Sequence, residues 1–138
     1  MDSTQIGFEV VVDQSYEQTL ESITAALKAE GFGVLTRIDV RATMKEKLGV
    51  DFRPYAILGA CNPTLAHRAL SADPLTGLLL PCNITVESTS DRHTIVRIAD
   101  PLAMLSVGTL GKNETLRQIS SEAQTKLKRV AQSLAHPG

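Results

Sequence analysis

The stretch that decides the fold is Tyr55-Ala56-Ile57-Leu58-Gly59-Ala60-Cys61-Asn62-Pro63. Its first seven residues are apolar at odd and even positions alike, a pattern typical of a strand that is covered on both faces. Asn62 can accept hydrogen bonds from the first N–H groups of a helix, and Pro63 is tolerated at the first helical position. The stretch therefore predicts a central strand that leads directly into a helix.

Upstream of this strand, the sequence predicts two further strands and two helices. The alternation of Ile6, Phe8, Val10 and Val12 predicts a strand with one buried face. A capping box at 15–18 predicts a helix over 15–30, which Gly31 closes. A second strand is predicted over 32–40, with Phe32, Val34, Ile38 and Val40 on its buried side, and a second capping box at 43–46 predicts a short helix that ends at Gly49.

Downstream of it, the sequence predicts a β-hairpin and a long helix. The hairpin strands are predicted over 77–88 and 93–99, and Pro81 indicates an edge, a strand end or a bulge because it cannot donate to a ladder. Residues 102–111 follow as an unusually apolar loop. One helix face is then predicted from the apolar residues Leu116, Ile119, Ala123, Leu127, Val130 and Leu134.

These elements give the order βαβαβαββα and an α+β fold. We expect a single two-layer sandwich over residues 1–138, with an antiparallel or mixed sheet of about five strands and helices mainly on one face. A chain of 138 residues with 43% hydrophobic and 21% charged residues is typical of one globular domain with its own core.

Charge and composition exclude several classes of partner. The formal net charge is −1 and the chain has no Trp, so neither the positive field nor the stacking surface of a nucleic-acid-binding protein is present. No apolar run approaches the roughly 20 residues that cross a membrane. We therefore expect a cytoplasmic protein with no nucleic-acid or membrane partner, whose two cysteines are free thiols.

Two Cys-Asn pairs, Cys61-Asn62 and Cys82-Asn83, mark the candidate site. Cys61 lies at a helix start, a setting that lowers a thiol pKa and suits a nucleophilic or redox thiol, but a small apolar residue that ends a buried strand is the favoured explanation. Cys82 lies two and four residues before Ile84 and Val86, so in a regular strand its side chain would point into the core with theirs. Only a bulge at Pro81 would direct the thiol toward a cleft instead.

A metal centre is conceivable from the ligand types of Cys61, His67 and Cys82. The paired spacing of known zinc sites is missing and no fourth ligand is evident, so an exposed or capping role for His67 is the alternative. No cofactor other than such a metal ion is implied.

The two asparagines and Asp100 suggest a binding site instead. If Asn62 and Asn83 converge near the first N–H groups of the helix that starts at Pro63, they form a corner for a small polar or anionic ligand. Asp100 is either a strand terminator or a carboxylate beside that corner, and the apolar loop after it is either a lid or a dimer contact.

Several blocks of the sequence resemble a known family, the domain of unknown function 302 family. They are 39–49, 52–55, 57–63, 66–69 and 77–83, together with Asp100-Pro101. The resemblance implies a compact α+β fold grouped with the TATA-box-binding-protein-like folds, and a homodimer. It implies no activity, because the family has none assigned.

We therefore expect a non-enzymatic small-ligand-binding or sensory module, with a site formed by Cys61, Asn62, His67, Cys82, Asn83 and Asp100. The alternatives are a thiol- or metal-dependent enzyme that uses Cys61, His67 and Cys82, and a homodimeric structural or interaction domain.

Overall fold

The strands form one antiparallel sheet in the computed structural model, which describes residues 1–135. They are β1 (Asp2–Ser3), β2 (Gly7–Val12), β3 (Gly33–Asp39), β4 (Tyr55–Cys61), β5 (Cys82–Ser90) and β6 (His93–Ala99). Their order across the sheet is β1-β2-β6-β5-β4-β3. The predicted α+β class is confirmed, with six strands and an antiparallel sheet throughout.

The helices pack on one side of this sheet. They are α1 (Tyr16–Ala29), α2 (Val40–Leu48), α3 (Pro63–Ala72), α4 (Pro101–Met104) and α5 (Glu114–Ala135), with 3-10 helices at Pro74–Leu79 and Gly108–Lys112. In the described residues no helix is long and apolar enough to cross a membrane. The architecture is thus a two-layer sandwich.

The helix boundaries follow from local sequence signals. The side chain of Ser15 accepts from Gln18 N and the side chain of Gln18 accepts from Ser15 N, which is the predicted capping box at the start of α1. The predicted apolar face of α5 is buried along its whole length, from Leu116 to Leu134. This face covers the sheet side from which Phe8, Val10, Ile84 and other alternate strand residues project, so it closes the core.

Three predicted boundaries were wrong. Residues 77–79 belong to a 3-10 helix, and the hairpin strand begins only at Cys82, because Pro81 directly precedes the first ladder residue. The predicted loop 102–111 instead contains most of α4 and the second 3-10 helix. Helix α2 begins at Val40, because the Asp39 side chain accepts from Ala42 N and caps the helix one turn earlier than predicted.

The predicted buried side of β3 was only partly correct: Phe32 is buried and Val34 packs against the core, but Ile38 does not. The register between β3 and β4 shifts between Val34 and Thr36, so the alternation of inward and outward residues breaks in the middle of the strand. Leu35 and Ile38 are exposed as a result. Ile6, predicted as the first buried residue of β2, precedes that strand and is exposed.

The second side of the sheet is its open face. It is formed by the strand residues that alternate with the core: Glu9 and Val11 of β2, Ile95, Arg97 and Ala99 of β6, Asn83, Thr85 and Glu87 of β5, and Tyr55, Ile57 and Gly59 of β4. Charged, polar and apolar side chains are mixed on this face, which contains one of the cavities described in the next subsection.

Candidate functional site

The two cysteines meet at one end of the sheet. Cys61 is the last residue of β4 and Cys82 is the first residue of β5, where it lies opposite Ala60. Both are half-buried free thiols, and both line a small cavity of about 40 Å³ against the apolar side chains of Leu65 and Leu105. A cavity of this size is large enough for about one water molecule, not for a substrate.

The surroundings of Cys82 keep its thiol protonated. Burial raises the pKa of Cys82 to about 11, and the proximity of Cys61 adds to the effect. Since the thiolate is the nucleophile and the metal ligand, a thiol held in this form is poorly suited to either role at neutral pH.

His67 does not join the two cysteines. It is exposed on α3 and is not among the residues that line the cavity of the thiols. Among residues 1–135, no group of three or more His, Cys, Asp or Glu side chains is placed to hold a metal ion. The structure therefore does not assemble the conceivable centre of Cys61, His67 and Cys82.

Asn62 has a complete structural role as the N-cap of α3. Its Oδ1 accepts from Leu65 N at 3.2 Å, and its Nδ2 donates to the carbonyl oxygen of Glu30 at 3.5 Å. Gly31, at φ +84°, passes so close that a Cβ there would lie 3.0 Å from Nδ2. The carboxamide of Asn62 thus ties the end of α1 to the start of α3.

Asp100 also serves the fold. Its Oδ1 accepts from Leu102 N at 2.9 Å and caps α4, while its two oxygens accept from Gln124 Nε2 at 3.1 and 3.0 Å. These contacts join the end of β6 to α5.

Asn83 lies apart from Asn62. It is exposed on the open face, opposite Gly59, and it lines two adjoining cavities that do not include Asn62. Asn62 instead borders the cavity of the thiols and a surface depression beside Glu30 and Lys126. The structure does not bring the two carboxamides into one corner.

The larger of the two cavities beside Asn83 occupies the open face and has a volume of about 490 Å³. Small-molecule sites usually measure roughly 300–1,000 Å³. Its side chains come from four neighbouring strands, the segment before β2 and the end of α4, and they include Ile6, Glu9, Tyr55, Asn83, Thr85, Arg97 and Met104.

Thr85 is the most unusual residue of this cavity. It lies between Ile57 of β4 and Arg97 of β6, and its Oγ1 is buried with no hydrogen-bond partner among the described residues. A buried hydroxyl without a partner costs about 1–3 kcal/mol, so such groups are rare in the absence of a functional reason.

Four charged side chains form a chain of ion pairs on the open face, and two of them, Glu9 and Arg97, line the cavity. Arg97 Nε donates to Glu9 Oε2 at 2.8 Å and Arg97 Nη1 donates to Glu87 Oε1 at 2.5 Å. Glu87 also accepts from Arg53 Nε. Two cations face two anions, so the group is neutral as a whole, and Arg97 is held by partners on β2 and β5.

The ion pairs set the charge state of Glu87. Burial alone would raise the pKa of Glu87, but the hydrogen bonds and charges of Arg97 and Arg53 outweigh it and lower that pKa below its usual range. The same contact with Glu87 raises the pKa of Arg97. Both groups are therefore charged at neutral pH, and Arg97 stays fixed beside the cavity.

Glu9, Tyr55, Thr85, Glu87 and Arg97 were not predicted as site residues. Their signal was present in the parity of three strands, since opposite charges at 9, 87 and 97 fall on the side away from the core. Only the register of the strands shows that these side chains are neighbours.

Comparisons with known proteins agree with this fold. The model of a family described as domain of unknown function DUF302 matches residues 8–134. Among solved structures, an uncharacterized conserved DUF302 protein from Bacillus stearothermophilus superposes with a TM-score of 0.84 at 29% sequence identity, over 95% of this chain and 99% of that one. The search of curated proteins finds no match.

Proposed function

This protein belongs to the DUF302 family, and we propose that it is a small-ligand-binding module whose site lies on the open face of the sheet. The ligand is a small polar molecule held by Tyr55, Asn83 and Thr85, with Arg97 at the edge of the site. The proposal keeps Asn83 from the site predicted by sequence, whereas Asn62 and Asp100 serve as helix caps.

The observation that carries this proposal is the buried, unpartnered hydroxyl of Thr85 in the wall of a cavity of about 490 Å³. The hydroxyl has almost no accessible surface in its present position, and a rotation of about 120° about χ1 would carry it to the staggered position now held by the methyl group or by the hydrogen on Cβ. A ligand that accepts or donates a hydrogen bond at this position would satisfy the hydroxyl. The free protein thus bears a penalty that ligand binding removes.

The neighbouring groups support a polar ligand. Asn83 and Tyr55 both line the cavity, and a carboxamide and a phenol hydroxyl can each donate and accept hydrogen bonds. Ile6 and Met104 supply apolar contact at its rim. A few polar groups on a mostly apolar wall is the usual composition of a small-molecule site.

The test is a fragment screen read by amide chemical shifts of the ¹⁵N-labelled protein. We expect polar fragments to shift the backbone resonances of Tyr55, Asn83, Thr85 and Arg97 together. Fragments that shift only the residues around Cys61 and Asn62 would move the site back to the Cys-Asn corner. A broad screen without any shift on the open face would contradict the proposal.

A homodimer is a second candidate role, favoured by the exposure of β3 and α2. The outer edge of β3 is unpaired in the sheet order, Leu35 is 67% exposed, and α2 contributes no buried residue. A helix of nine residues is marginal in water without tertiary contacts, and a long free edge strand usually acquires cover. Two copies paired through antiparallel β3 strands would cover the free edge of β3 and would give α2 additional tertiary contacts.

Light scattering of wild type and of Leu35→Lys tests this role. Wild type at micromolar concentration is expected at twice the mass of the chain, and a charge at the strand edge is expected to give the monomer. A wild-type monomer over this range would contradict the homodimer.

The free thiols suggest a reducing compartment, so we also propose a cytoplasmic location, which fractionation of the source cells would test.

A further inference from the structure

The cavity on the open face continues beyond Asn83. A second cavity of about 220 Å³ adjoins it, and the two share Asn83, Ala99 and Met104. The second cavity runs along the chain segment just before β5, where Leu78 and Leu80 line it, together with Leu105 directly after α4. The polar site therefore opens at one end into a groove.

The side chains that line the groove are mostly apolar. Apart from Asn83 and the thiol of Cys82, its lining side chains are leucine, proline, alanine and methionine. Leu78 is 84% exposed, the highest value among the large hydrophobic residues of the described chain, and stands at the groove. Since burial of apolar surface is favourable, a ligand with an apolar extension would gain affinity here.

The polar end of the site favours an uncharged group. Arg97 already bonds to Glu9 and Glu87, and Glu87 also bonds to Arg53, so the four charges compensate one another. An added anion in the cavity would approach the carboxylate of Glu9, and an added cation would approach the guanidinium group of Arg97. The groups left for a ligand are the neutral hydroxyls of Tyr55 and Thr85 and the carboxamide of Asn83.

We propose that the ligand is an elongated amphipathic molecule, with an uncharged amide or hydroxyl end at Thr85 and Asn83 and an unbranched apolar tail in the groove beside Leu78 and Met104. The inference rests on the proposed function, because it uses the same polar site. It adds the charge, length and polarity of the ligand.

The probes are straight-chain primary amides from butanamide to octanamide, titrated into the full chain by chemical-shift mapping. Each methylene that enters the groove is expected to tighten binding about fourfold. Shifts are expected at Thr85 with every amide and to extend to Leu78 and Leu80 with the longer ones. Octanoate and octylammonium, of equal length, are expected to bind at least tenfold more weakly than octanamide.

Two variants locate the tail. Ala99→Leu adds bulk where the two cavities join and is expected to reduce the ratio of octanamide to butanamide affinity toward one. Leu78→Ser removes an exposed groove side chain and is expected to weaken octanamide at least threefold. Leu48→Ser, the same change at a residue that is 68% exposed on α2, is the matched control and is expected to leave the affinity unchanged.

The outcomes separate the two proposals. Amide binding at Thr85 that does not depend on chain length would overturn the groove and leave the site on the open face. Tighter binding of octanoate or octylammonium than of octanamide would overturn the uncharged end. If no amide bound at any length and the fragment screen also found no ligand on the open face, both proposals would fall.

Discussion

Arg97 and Glu87 form an ion pair between neighbouring strands on the open face, with 2.5 Å between Arg97 Nη1 and Glu87 Oε1. The side chain of Glu87 is only 9% exposed, although it projects from the face that the helices do not cover. A carboxylate this buried is stable only with good partners. The pair therefore fixes Arg97 at the edge of the cavity and limits which charges a ligand can carry.

Removal of the charge of Glu87 tests this role. Glu87→Gln keeps the shape of the side chain but leaves Arg53 and Arg97 without their shared carboxylate, so we expect a loss of about 1–3 kcal/mol in the free energy of unfolding, measured by urea denaturation. Glu122→Gln is the matched control, because Glu122 pairs with Arg68 at 2.8 Å with both side chains about half exposed. Surface pairs contribute about 0–1 kcal/mol, so equal losses in both variants would contradict the role of Glu87.

The pH dependence of stability follows from the lowered pKa of Glu87. A carboxyl whose pKa is lower in the folded state contributes stability above its unfolded pKa of about 4.3, and that contribution is lost as the pH falls through the folded value. We expect wild type to lose more stability than Glu87→Gln between pH 6 and pH 3, by urea denaturation at each pH. Parallel curves for the two proteins would show that Glu87 is not responsible.

Thr85 and Thr94 offer a matched pair for the unpartnered hydroxyl. Thr94 is fully buried and its Oγ1 donates to the carbonyl oxygen of Gln14 at 2.9 Å, whereas Thr85 Oγ1 has no partner in the described chain. Thr85→Val should raise the melting temperature, by an amount equivalent to about 1 kcal/mol, while Thr94→Val should lower it by a similar amount. A loss of stability in Thr85→Val would mean that the hydroxyl is satisfied in the folded protein.

Cys82 is expected to react slowly with alkylating agents. With a pKa of about 11, its thiolate fraction at pH 8 is roughly two hundredfold below that of a free cysteine, so iodoacetamide should modify it roughly a hundredfold more slowly. Mass spectrometry of the native and the urea-unfolded protein measures both rates. If Cys82 were alkylated in the native protein as fast as in the unfolded protein, it would be a reactive thiol, contrary to this prediction.

Gly59 is expected to tolerate no side chain. A Cβ there would lie 2.3 Å from Thr36 Oγ1 and 2.7 Å from Pro81 Cγ, and the ring of a proline cannot turn aside. Gly59→Ala should cost about 1–3 kcal/mol of stability. Gly33→Ala, on the neighbouring strand, meets nothing within 4 Å and should change stability by less than about 0.5 kcal/mol.

Much of the fold could be predicted because its signals are local. The capping box at Ser15, the Asn62-Pro63 helix start and the apolar periodicity of α5 each depend on residues within a few positions of one another. The errors arose where contacts between residues that are distant in the sequence determine the local structure. The bulge between Val34 and Thr36 comes from pairing with β4, and Leu78 lies in a 3-10 helix although its sequence is apolar enough for a strand.

The site was harder to predict than the fold. Reactive or polar side chains beside predicted helix starts suggested a site at Cys61, Asn62 and Asp100. The same residue types are also common as helix caps and at the ends of buried strands, and Asn62 and Asp100 are helix caps in the structure. Glu9, Thr85 and Arg97 are widely separated in the chain, and they become neighbours only through the pairing of β6 with β2 and β5. Asn83 is part of both the site predicted from the sequence and the site on the open face, because it lies at the end of the open face.

The most direct test of the site on the open face is the affinity of the strongest-binding fragment for wild type and for Asn83→Ala, titrated by chemical shift. Asn83 is exposed and has no hydrogen bond to another side chain among residues 1–135, so its truncation should leave the fold intact. We predict that Asn83→Ala binds about three- to tenfold more weakly, since it loses a hydrogen bond to the ligand. Equal affinity for the two proteins would contradict the account.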